Sequence, residues 1–195
     1  KFQHTLALFM FINLLITGII VGMPYVQVKV LHFSDYYYGL TEAALSLGFI
    51  LVGIYLSARK AIRYPLLLAW KSILTIGGLV ALMGAVLWLP LSTDAFFAFF
   101  LLISLFFGGI STAVNIPMMT WVTQIVPTHY QGRIFNIVST ASQLLSPLGM
   151  VIFSLGFDYL PASLLFLLCG AIMIGVTAYW PRFYKVNILS NQLED

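Results

Sequence analysis

Five side-chain amides stand inside long apolar runs of this chain: Asn13, Gln27, Asn115, Asn136 and Gln143. An amide donates and accepts hydrogen bonds but does not trade protons, so the chemistry on offer is recognition. Small and polar residues accompany them at helical steps. One stripe reads Ser104, Gly108, Ser111, Asn115, Met118, and a second reads Asn136, Ser139 or Thr140, Gln143, Pro147, Met150. A third reads Asn13, Thr17, Ile20, Pro24, Gln27. Steps of three and four gather each stripe on one helix face. Amides facing hydrocarbon are costly, so all three faces are expected to look into the protein. The expected pocket wall is Asn13, Thr17, Gln27, Ser111, Asn115, Met118, Asn136, Ser139 and Gln143. For any one of these the plainer role is interhelical hydrogen bonding, worth about 0.6 kcal/mol per contact. Phe49, Met119, Trp121 and Met150 join Met118 as candidates for an adaptable apolar surface.

Other chemistries find no support. His4, His32 and His129 lie near helix ends and far apart, without metal-ligand spacing. Asp35 and Glu42 fall at the outer end of the second expected helix, where capping or solvation accounts for them. No ionisable group falls near mid-membrane in any span, the place a proton-carrying carboxylate would occupy. The serine motif and membrane histidine of an intramembrane protease are missing. Asn115-Ile116-Pro117 is only a superficial echo of a water channel's paired loops. No enzyme activity, cofactor or metal is expected.

Composition settles the solvent. Of 195 residues, 61% are hydrophobic and 8% charged, and the mean hydropathy is +1.01. A water-facing surface cannot be built from so few charges. The expected surroundings are a lipid bilayer. The net charge of +3 follows the membrane and carries no nucleic-acid signal. Cys169, the single cysteine, excludes an internal disulfide and reads as a small buried hydrophobe. Phe2 to Val21 is too long for a signal peptide and lacks a cleavage site, so it reads as a span. A start at Lys1 rather than Met is expected of a fragment or processed chain.

Six stretches suit the roughly 20 residues that cross a bilayer core: about 5–28, 41–58, 70–89, 95–122, 134–157 and 162–181. The second begins at a candidate cap, Thr41. The linkers are short, so residues 1–195 are expected to form one bundle, with 188–195 as a tail. Eight of the nine basic residues fall on the side of both termini: Lys1, Arg59, Lys60, Arg63, Lys71, Arg133, Arg182 and Lys185. Only Lys29 falls on the other. That bias puts both termini in the cytoplasm of a cell-membrane protein. Pro24, Tyr37 and Gly39 recur at an offset of 93 as Pro117, Tyr130 and Gly132. Units of about 1–93 and 94–187 would each hold three helices and enter from opposite faces. Gly22, Pro24, Gly108, Pro117 and Pro147 are the expected hinges. Gly77, Gly78, Gly84, Gly170 and Gly175 look like packing positions in the third and sixth helices, which are expected towards lipid.

The elbow "VPTHYQGRIF" followed by "STASQLLSPLG" resembles the junction between helices ten and eleven of major facilitator superfamily transporters. The likeness is greatest to the drug and macrolide efflux branch, on Val126, Pro127, Gly132, Arg133, Ile134 and Phe135. The resemblance implies an all-α membrane protein, six transmembrane helices as a 3+3 inverted repeat, forming half of that fold. It implies the carboxy-terminal half of a transporter, partnered by an amino-terminal six-helix half. The implied activity is efflux of small lipophilic drugs such as macrolides, coupled to protons through that other half. In "LSARKAIRYP" the loop keeps the basic part of the superfamily's gating signature as Arg59, Lys60 and Arg63, but lacks its Gly and Asp. A simple positive-inside anchor is the stronger reading there; Gly132 and Arg133 are expected in the next such loop. The competing class is a six-helix substrate-binding subunit of a vitamin importer, which helix count allows but in which the elbow has no role.

Overall fold

The computed structural model describes residues 2–58 and 64–184; within its helices the side chains at 2–6, 9, 125, 138, 141–144 and 181–184 lie outside that description. The chain runs α1 (Phe2–Tyr25), a π-helical turn (Val26–Val30), α2 (Asp35–Ala58), α3 (Pro65–Val86), α4 (Thr93–Ile125), α5 (Thr128–Tyr159) and α6 (Ala162–Tyr184). Local chemistry sets the ends. The Ser34 hydroxyl accepts from Tyr37 N at 3.3 Å at the head of α2, and Ser92 does the same for Ala95 N at 3.3 Å in α4. Pro65 opens α3, where its missing N–H costs nothing. Thr41, expected as the cap of α2, lies well inside it and is fully buried. Ser34 takes the capping role because the helix begins six residues earlier.

Met10–Val30, Asp35–Ala58, Pro65–Val86, Thr93–Gln124 and Ala162–Trp180 are each long and apolar enough to cross a bilayer. In α5 the apolar stretch among the described residues is Leu145–Tyr159. Helices fit this setting because they satisfy their own backbone groups. Embedded hydroxyls do likewise: Thr75 donates to Lys71 O at 2.9 Å and Thr120 to Ile116 O at 2.9 Å.

α2 packs on α4, α1 on α5, and α3 on both α6 and α4, with a lesser contact between α1 and α6. The pairs α1–α2 and α4–α5 scarcely touch. Glycine permits the tight crossings. A Cβ on Gly48 would meet Leu105 O, and one on Gly108 would meet Leu45 O, so α2 and α4 approach backbone to backbone. Between α3 and α6, a Cβ on Gly84 would lie 2.6 Å from Ser163 O, and one on Gly170 2.6 Å from Gly77 O. Gly78 and Gly175 face nothing within 4 Å and are not packing positions. α3 is more buried than expected: half of its span is covered, with Ile73, Ile76, Val80 and Met83 fully enclosed. It is wedged between α4 and α6 and is a core element of the bundle.

Gly48→Leu is therefore expected to cost about 1–3 kcal/mol by overpacking against backbone that cannot yield. Gly78→Ala should instead be neutral or gain up to about 1 kcal/mol from helix propensity. Thermal unfolding of the detergent-solubilised protein measures both, and equal losses at the two sites would contradict the crossing.

Candidate functional site

Between α1, α2, α4 and α5, with Ile76 of α3 at its base, lies a cavity of about 730 Å³. It exists because the pairs α1/α5 and α2/α4 diverge. Buried apolar side chains make its floor: Ile12, Ile76, Phe107, Val114 and Val122. Leu45, Phe49, Met118, Met119 and Phe135 build the walls. Asn13, Ser111, Asn115, Asn136 and Ser139 supply the polar groups, and the three asparagines are exposed rather than sunk in the floor. The arrangement is an apolar basin with an amide rim. Among the described lining residues none is charged.

The expected residues separate into two groups. Asn13, Ser111, Asn115, Met118, Asn136 and Ser139 come together around this one cavity. Asn115 Nδ2 donates to Ser111 O at 2.9 Å, which leaves its oxygen and second N–H available. Thr17 and Gln27 do not line it. Thr17 is buried against Gly149 of α5 and donates to Asn13 O at 3.0 Å. Gln27 is fully buried in the π-helical turn, and its Oε1 lies 2.6 Å from Thr41 Oγ1. That contact fastens the end of α1 to α2. The Gln143 side chain lies outside the described residues. Of the candidate apolar surface, Phe49, Met118 and Met119 line the cavity, whereas Trp121 is buried beside it and Met150 is exposed elsewhere. Sequence reasoning passed over the floor, because Ile, Val and Phe at these spacings read as ordinary packing.

The expected hinges also divide. Pro24, Pro117 and Pro147 sit inside α1, α4 and α5, which continue through them. Each removes one backbone donor, so the carbonyls of Ile20 and Ala113 lose their usual partners. The π-helical turn begins two residues after Pro24. Gly22 and Gly108 are close-approach points: Gly22 faces the rings of Phe157 and Phe166, and Gly108 the backbone of α2.

At the elbow the chain leaves the helix only at Val126 and Pro127. Gly132 and Arg133 are therefore not loop residues; they lie exposed in the opening turns of α5. The polar elbow is helical because Pro127 fixes the approach (φ −53°) and Gln131 closes the joint. Gln131 Nε2 donates to Thr123 O and to Val126 O, both at 2.9 Å, so it caps the end of α4 from α5. Arg59, Lys60 and Arg63 lie outside the described residues. The opposite end of the bundle is cross-tied: Tyr25 OH donates to Phe157 O at 3.0 Å, Tyr37 OH to Asp94 Oδ1 at 2.9 Å, and Trp88 Nε1 to Ser163 Oγ at 2.7 Å. Phe33 packs edge-on against Phe97 and Phe100 there, with centroids 6.2 Å apart in each case.

Long apolar helices around a ligand-sized, amide-rimmed basin define a multi-pass membrane protein of the solute-handling kind. The chain belongs to the Major Facilitator Superfamily, whose family model matches residues 2–150. These proteins are transporters, not enzymes. A similar protein is the "Uncharacterized MFS-type transporter YfiS" of Bacillus subtilis (strain 168), 36% identical over 78 residues. The match covers 40% of this chain and 18% of that relative. No solved structure matches the chain.

Because Gln27 and Thr41 are both fully buried, Thr41→Val should strand a buried amide and cost about 1–3 kcal/mol. Adding Gln27→Leu should recover most of that loss. A double-mutant cycle in thermal unfolding reads the coupling, and additive losses would show that the two side chains do not act as a pair.

Proposed function

We propose that this chain is the carboxy-terminal six-helix half of a secondary transporter that expels small lipophilic compounds, macrolide-like drugs among them, by alternating access. The observation that carries the reading is the convergence of Asn13, Asn115 and Asn136, from α1, α4 and α5, on one uncharged basin. A superfamily of transporters and a cavity of drug-accommodating volume point the same way. The basin is open along one side, which an amino-terminal half of six helices would close. Rocking of the halves would then expose the site alternately to each side of the membrane.

The packing also supports a 3+3 repeat. Exchanging the first three helices with the last three turns the α2–α4 contact into α5–α1 and maps α3–α6 onto itself. Basic residues favour cytoplasmic termini in the cell membrane, with the elbow on the cytoplasmic side and Lys29 and the Phe33 cluster outside. Among the described residues no carboxylate lines the basin, and proton coupling is assigned to the other half. The vitamin-importer alternative gives the elbow at 126–135 no role.

In the full-length transporter, Asn115→Ala, Asn136→Ala and Gln143→Ala are each expected to lower macrolide resistance several-fold at unchanged membrane abundance. Collapsing the proton gradient in proteoliposomes should stop efflux. Resistance unchanged in all three variants would remove the lining role, and efflux indifferent to the gradient would remove the coupling.

A further inference from the structure

We infer that the Gln27–Thr41 contact is a latch inside this half: it holds the outer end of α1 to α2 in this conformation and lets go when the basin opens to the outside. It rests on the alternating-access reading above, and adds that the half itself yields rather than moving only as a rigid body.

The Thr41 hydroxyl has one hydrogen and two acceptors in reach, Gln27 Oε1 at 2.6 Å and Tyr38 O at 2.8 Å. Given to Gln27, that hydrogen leaves Gln27 Nε2 with no partner among the described residues. Given to Tyr38 O, it requires the amide to turn end for end, with an N–H towards Thr41, and Oε1 then takes the unpartnered position. Either way one end of a fully buried amide goes unsatisfied, which disfavours the closed state.

The backbone at the latch has a second arrangement within reach. Pro24 leaves Ile20 O without its usual donor. Val26–Val30 is a π turn, in which Leu31 N donates to Val26 O at 2.8 Å, and Phe33 N donates to Gln27 O at 2.9 Å just beyond it. A π turn passes into an α turn by a one-residue change of register. The rest of α1 and α2 scarcely touch, so little besides the latch and the link 31–34 joins them. Gln27 also follows Asn13 and Ile20, which line the basin, at steps of seven, so on an unbroken helix it lies on their side. Released from Thr41, its amide meets the outer end of the basin, where water completes both of its ends. The closed state keeps one hydrogen bond and forgoes hydration, and the open state does the reverse.

The test is hydrogen–deuterium exchange of the purified full-length transporter in detergent, read by mass spectrometry at the amides of Leu31 and Phe33. Two variants remove the same hydrogen bond with opposite consequences. Thr41→Val leaves the buried amide without its partner, so exchange is expected about fivefold to tenfold faster, the scale of one lost hydrogen bond. Gln27→Leu takes the unsatisfied atom out of the closed state and puts an apolar side chain against water in the open one, so exchange is expected about threefold or more slower. Adding Gln27→Leu to Thr41→Val should restore the slow exchange. In proteoliposomes, Gln27→Leu should lower the maximal rate of erythromycin efflux about fivefold while the half-saturating concentration stays within about twofold. A contact that merely fastens the fold makes both single variants exchange faster; that result, or exchange unmoved in either, overturns the inference. So does full-rate efflux by a Gln27→Leu protein whose exchange is slowed, since the latch then lies off the transport path. If the parent protein moves no erythromycin, it is the broader reading that falls, and the exchange pattern still decides the latch.

Discussion

Close approach of helix backbones is the constraint from which the rest of the molecule follows. Inside hydrocarbon, apolar side chains gain nothing by leaving lipid for one another, so helices are held by intimate contact. Gly48 and Gly108 permit that contact between α2 and α4, as Gly77, Gly84 and Gly170 do between α3 and α6. With the helices paired in this way, α2 scarcely touches α1, nor α4 α5. A gap between the two pairs is the geometric remainder, and that gap is the basin.

Polar fastenings bound the gap at both ends. At one, the Gln27–Thr41 contact joins α1 to α2; at the other, Gln131 seals α4 to α5 across Val126 and Pro127. The lining residues fall between these fastenings: Ile20 and Leu45 lie just inside the first, Val122 and Phe135 just inside the second. Ser46, Thr112 and Thr120 return their hydroxyls to carbonyls of their own helix, whereas the buried Thr177 Oγ1 of α6 has no partner among the described residues. The asparagines of the rim differ. They stand at the open edge with hydrogen-bonding capacity still unspent.

The long helices were legible from composition, because hydropathy over twenty residues is a strong signal. The polar stripes were legible in part. Asn13, Thr17, Ile20 and Gln27 lie within about 40° of a common line on an ideal helix, yet they meet different surroundings. Asn13 and Ile20 border the basin, Thr17 turns onto α5, and Gln27 reaches Thr41 of α2. Helical arithmetic locates a face, but the boundary between a cavity and a neighbouring helix runs through that face. The π-helical turn at Val26–Val30 further displaces Gln27 from the α-helical register. At the elbow, polarity suggested a loop where the chain is helical, since Thr, His, Tyr and Gln tolerate a helix once Pro127 has set its start. The apolar floor carried no mark in the sequence at all, because an isoleucine facing a void and one facing a neighbour are the same residue.

The joint between α4 and α5 has a mechanical consequence. From Ile125 to Thr128 the backbone can reach no more than about 11 Å, and Gln131 grips the last carbonyls of α4 from the far side of the break. Such a joint has almost no slack. A tilt of α4 beyond Pro117 is handed on to the opening turns of α5 as through a bell-crank.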